Sequence, residues 1–135
     1  MKVVSYCICD SIESNQKGDN VLVNPLQMLM VPFLPTNYSF VFSFGLFDIP
    51  KDGFQMKIQI INPKETAINT IDLNIPKIPE EKEFDKELPF GLQLNISFNN
   101  IVFDMEGEYT IKLNYDDDCV NCPLEVVKNE RISQA

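Results

Sequence analysis

Apolar and polar residues alternate with a period of two almost wherever this 135-residue chain is apolar. That spacing sends successive side chains to opposite faces of a strand. Phe90, Leu92, Leu94, Ile96 and Phe98 alternate with Gly91, Gln93, Asn95, Ser97 and Asn99. Phe54, Met56, Ile58 and Ile60 alternate with Gln55, Lys57 and Gln59, and Tyr109, Ile111, Leu113 and Tyr115 with Thr110, Lys112 and Asn114. Each run predicts a strand with one face in a core and the other in water. Tyr38, Phe40, Phe42, Phe44 and Leu46 oppose Ser39, Val41, Ser43, Gly45 and Phe47. The apolar residues in this second row predict a central strand covered on both sides. Weaker strand signals lie at Lys2 to Cys9, Val21 to Asn24, Leu26 to Val31, Ile68 to Ile75 and Leu124 to Lys128.

No long stretch sustains the 3.6-residue period of a helix; Ser11 to Lys17 and Glu80 to Leu88 offer at most a helical turn. Lys51-Asp52-Gly53 tolerates the positive φ of a tight turn and predicts a hairpin between its two flanking strands. Gly18-Asp19-Asn20 and Asn62-Pro63 also read as turns. Ile75 to Glu87 is proline-spaced and then densely charged, the composition of an exposed crossover between two sheets. The expected fold is all-β, an antiparallel β-sandwich of about seven to nine strands. We expect a single domain over residues 1–128 and a flexible tail over 129–135.

Phe103-x-x-x-Gly107-Glu108-Tyr109-x-Ile111-x-Leu113 resembles the penultimate strand of immunoglobulin-like sandwiches, where a tyrosine at the strand start pins the corner. The resemblance implies that role for Tyr109 and an immunoglobulin-like sandwich for the fold, although an ordinary core aromatic fits the position equally. Ser5 with Asp10, Asn20-Val21, Val31-Pro32-x-x-Pro35 ahead of an apolar strand, and Gly107-x-Tyr109 before a short last strand together resemble a family of small uncharacterised bacterial and phage proteins. The likeness covers most of the chain and implies a β-sandwich without a known activity. Four cysteines and a longer acidic crossover depart from that pattern, so no thiol role is carried over.

Charge excludes more than it selects. Twenty acidic residues against eleven basic ones give a net charge of −9, and Arg131 is the one arginine. A nucleic-acid or anionic-membrane binder needs a positive surface, so neither partner is expected. Histidine is absent, which removes Ser-His-Asp and Cys-His nucleophile pairs and the commonest acid–base group. Val3 to Cys9 is cut short by Asp10 and so makes no secretory signal. Apolar stretches at Leu26 to Leu34 and Tyr38 to Ile49 are too short to span a bilayer. A cytoplasmic protein with reduced thiols is expected.

Three groups of residues are candidates for a site. Cys7, Cys9, Cys119 and Cys122 have the ligand types for a tetrahedral zinc. Thiols two apart on a regular strand sit roughly 7 Å from one another, however, so small buried or incidental thiols are the stronger reading. Asp116, Asp117 and Asp118 offer clustered oxygens for calcium, though such runs usually form solvent-facing turns. Val41 and Phe47 are candidates for an apolar contact face. No cofactor and no enzymatic activity is expected. The expected function is binding or assembly with another protein, with homo-oligomerisation as one form of it. A phage-encoded acidic inhibitor of a host protein and a zinc or calcium module are the alternatives.

Overall fold

A computed structural model describes residues 1–77, 91–116 and 118–129. Nine strands are present among them: β1 (Lys2–Ser14), β2 (Asn20–Leu26), β3 (Met28–Val31), β4 (Thr36–Phe47), β5 (Phe54–Ile61), β6 (Ala67–Ile75), β7 (Gly91–Phe103), β8 (Gly107–Tyr115) and β9 (Asp118–Lys128). They form a four-stranded sheet in the order β2-β1-β4-β7 and a five-stranded sheet, curled on itself, in the order β3-β9-β8-β5-β6. The all-β expectation is met among the described residues. No helix among them is long and apolar enough to cross a membrane.

The core fills the space between the two sheets. From one side come Phe40, Phe42, Phe44 and Leu46 of β4 with Phe98 and Phe103 of β7; from the other come Met56, Ile58 and Ile60 of β5, Ile111 and Leu113 of β8, and Leu124 and Val126 of β9. The alternating row on β4 therefore faces inward as its spacing predicts. Rings stack along it, Phe42 on Phe44 and Phe40 on Phe98, each pair with centroids 5.2 Å apart. Tyr109 is wholly buried, and its hydroxyl donates to the Met105 carbonyl at 2.9 Å. That bond ties the turn before β8 to its first residues, which is the corner-pinning role the motif implies.

Several expectations need correction. Lys51-Asp52-Gly53 does make a turn, with the Gly53 N–H donating to the Pro50 carbonyl at 3.2 Å, but β4 and β5 belong to different sheets. The cause is Ile49, which is buried in the core and draws the connection across the gap between the sheets. Ser11 to Ser14 is strand, and the helical turn expected from Ser11 is instead the loop at the end of a hairpin. Leu26 to Val31 is not one strand. Leu26 ends β2 in one sheet, Met28 opens β3 in the other, and β3 runs parallel to β9. The last strand starts six residues before Leu124, at Asp118.

The Asn62 turn holds as expected. Its side-chain oxygen accepts from the N–H groups of Lys64 and Thr66 at 3.0 and 2.9 Å, closing the β5–β6 hairpin. Ile75 ends β6 in one sheet and Gly91 opens β7 in the other. The expected crossover beyond Lys77, the Glu80 to Leu88 turn and Phe90 lie outside the described residues. So does the expected tail beyond Asn129, whose N–H donates to the Val31 carbonyl at 2.8 Å.

Candidate functional site

The β1–β2 hairpin is longer than the sheet that carries it. Pairing of β1 with β4 runs from Lys2 opposite Phe47 to Cys9 opposite Val41 and stops there. Pairing of β1 with β2 continues through Ser11–Val23, Ile12–Leu22, Glu13–Val21 and Ser14–Asn20. Residues Asp10–Ser14 and their partners thus form a two-stranded ribbon about 17 Å long that leaves the sandwich. A two-stranded ribbon is marginal unless it is braced. At its base Asn24 Nδ2 donates to Asp10 Oδ2 at 2.6 Å, and the Tyr38 hydroxyl lies 3.5 Å from Asp10 Oδ1. Burial first, then the Asp10 charge and hydrogen bond, raises the pKa of the Tyr38 phenol. At the tip Asn15 Oδ1 accepts from the N–H groups of Lys17 and Asp19, both at 2.9 Å.

Strand register also fixes what lies around the ribbon. It leaves from the end of the sandwich where β4 begins, so Pro32 to Pro35 lies at the same end, and Asn37 opposite Val102 brings in the end of β7. Large apolar side chains stand open to water here. Phe33 is 58% exposed and Val102 54%, with Val21 and Leu22 on the ribbon itself also exposed. The sequence did not single them out, because Val21-Leu22-Val23 lacks alternation and reads as an ordinary short strand.

The structure does not bring the four cysteines together. Cys7 and Cys9 pair with Ser43 and Val41 on β4, on the side of that sheet turned away from the core. Cys119 and Cys122 are three apart on β9, so they point to opposite faces: Cys119 is exposed and Cys122 is in the core. The four sulfurs are therefore divided among separate layers, and all four thiols are free. Asp116 is exposed in the β8–β9 turn with φ 48°, Asp118 pairs with Tyr115, and Asp117 lies outside the described residues. Among the described residues no three cysteine, aspartate or glutamate side chains gather as a metal site would require.

Val41 is only 9% exposed, which leaves Phe47 as the open member of that candidate pair. Beside Val41, Ser43 is closed in by β7: Gln93 Nε2 donates to Ser43 Oγ at 2.6 Å, and Ser43 Oγ donates to Asn95 Oδ1 at 2.7 Å. Phe47 is partly covered by Lys2, whose ammonium lies 5.5 Å from the ring centroid.

Burial pushes the Cys122 thiol up to about 11, and it raises the thiol of Cys9 with help from Cys7 and Asp10. Unfolding lets Cys122 ionise at its ordinary 9.0. Its contribution is therefore intact below pH 9, shrinks above it, and is lost as the pH rises through about 11. We expect stability measured by urea unfolding to fall across that window and to fall less steeply in Cys122→Ala. We also expect a thiol reagent to modify exposed Cys119 first and the buried Cys9 and Cys122 only on unfolding.

A search of curated proteins returns no match. A family of unknown function, DUF6941, matches residues 4–127, which takes in β2 through β8 whole together with most of β1 and of β9, and the chain belongs to that family.

Proposed function

We propose that this chain is a non-enzymatic protein-binding module that docks through the ribbon end of its sandwich. The supporting observation is the set of apolar side chains, Val21, Leu22, Phe33 and Val102, held in water at that one end. Burying a wholly exposed side chain of this kind is favourable by ~1.5–3 kcal/mol, covering the 38–58% still open on these four recovers part of it, and none of the four belongs to the core. A protein surface is the occupant that the exposed apolar set suits.

The fold we read as immunoglobulin-like. β1, β4 and β7 face β9, β8 and β5, β3 runs parallel to β9, and Tyr109 pins the start of β8. Loops and edges of such sandwiches serve as contact surfaces without catalytic chemistry. The cytoplasm is the setting we favour, because four free thiols, one of them exposed, suit a reducing compartment.

A photo-crosslinking residue placed at Leu22 or at Phe33 in cells tests the reading, with Thr70 on β6 as the control position. The two ribbon-end positions should capture the same protein, Thr70 should not, and Val21→Asp should abolish the capture. Equal capture from Thr70, or no capture from either ribbon-end position, rejects the proposal.

A further inference from the structure

A sheet edge offers unpaired N–H and C=O groups to any passing strand, and proteins blunt their edges with proline, charge, irregularity or brevity. Three of the four edges carry such a device. β2 contains Pro25 and the positive-φ Asn24, β3 has four residues, and β6 has a carboxylate, Asp72, in its middle. β7 is different. It pairs with β4 on one side, and among the described residues no strand pairs with the other. Its thirteen residues include neither a charge nor a proline. Of the described strands with eight residues or more, only β4 shares that lack of charge, and β4 is flanked on both sides. β7 thus has the composition of an interior strand at the rim of a sheet.

We propose that two copies of this chain join edge to edge through β7, antiparallel about a two-fold axis, so that the four-stranded sheet continues across the pair. The surface is distinct from the ribbon end. A bulge where β7 meets Tyr38 and Phe40 leaves Gly91 to Phe98 as the regular part of the edge. A two-fold axis at Leu94 sets Gly91 opposite Ser97, Leu92 opposite Ile96 and Gln93 opposite Asn95, all inside that regular part. Such an axis, perpendicular to the sheet, keeps like faces together. Half-buried Leu92, Leu94 and Ile96 then cover their equivalents.

The outward row identifies the second copy as the partner. Ser43 already holds Gln93 through Nε2 and Asn95 through Oδ1. That leaves Gln93 Oε1 to accept and Asn95 Nδ2 to donate, and the axis places the first opposite the second in both directions. A row of amides complements itself. A charged row would set like charges opposite each other, and a basic partner would find no carboxylate on β7.

Sedimentation equilibrium of the full chain over about 1 to 500 µM is the test, a span that suits a modest edge interface. A monomer–dimer equilibrium is expected, strengthened by added salt because each copy carries −9. Asn95→Lys should weaken it at least tenfold, although the substitution lowers the net repulsion between copies. Ser97→Lys should act in the same direction and does not disturb the Ser43 bonds. Thr70→Lys makes the same change of charge on the β6 edge and should not weaken the dimer, nor should Val21→Asp on the ribbon. Two results overturn the proposal: a monomer throughout, in which slow exchange of every β7 amide would show that the edge is covered within one chain, or a dimer that withstands both β7 lysines.

Discussion

Phe42→Ala should lower folding stability by about 3–5 kcal/mol. Phe42 sits on a strand paired on both sides, opposite Ile8 of β1 and Ile96 of β7. Its side chain is fully buried, with its ring stacked on Phe44 and 6.1 Å from Tyr6. Truncation removes the transfer energy of the ring and leaves a cavity that three neighbouring strands cannot close without breaking their ladders. Domains of this size are stable by only about 5–15 kcal/mol, so the loss is about a fifth or more of the total. Urea unfolding should show the midpoint shift, and the melting temperature should fall by about 10–20 °C. Val102→Ala, at an exposed position on β7, should cost less than about 0.5 kcal/mol. Equal effects at the two positions would mean that the row on β4 does not face the core.

Gly53→Ala should cost about 2–4 kcal/mol for two separable reasons. Gly53 has φ 88°, where a side chain is strained. A Cβ there would also lie 2.5 Å from the Ile75 carbonyl oxygen, with Pro76 C and Lys77 N at 3.0 and 3.1 Å. Those are backbone atoms and cannot rotate aside. Gly18→Ala separates the two costs. Gly18 has a similar φ of 81° but nothing within 4 Å of the added methyl, so it should lose only about 1 kcal/mol. If the two variants lose the same amount, the close approach of the β4–β5 connection to the end of β6 is wrong.

The strands were legible because burial on a sheet leaves a period of two in the sequence, as in Tyr109 to Tyr115. Membership of a sheet was not, because that period says which residues share a face and not which strand lies alongside. Asp52-Gly53 marks a turn correctly, yet only the burial of Ile49 tells that its strands part company. Pro123 stands in the half of β9 that the sequence reading left out. The strand tolerates it because β3 pairs with β9 only from Glu125 onward, so at Pro123 the side away from β8 has no ladder bond to lose. With the whole strand in view, the opposite facing of Cys119 and Cys122 follows from their spacing alone. The ribbon was illegible for a further reason: its length shows only against the point where β1 stops pairing with β4.

The parallel contact of Met28–Val31 with Glu125–Lys128 joins segments separated by roughly one hundred residues, so it is among the costliest contacts to close by chance encounter. During synthesis Leu29 and Val31 must wait, uncovered, until nearly everything after them has emerged. The hairpins can form as they are made, but the last seam of the molecule is sewn by its first and final thirds together.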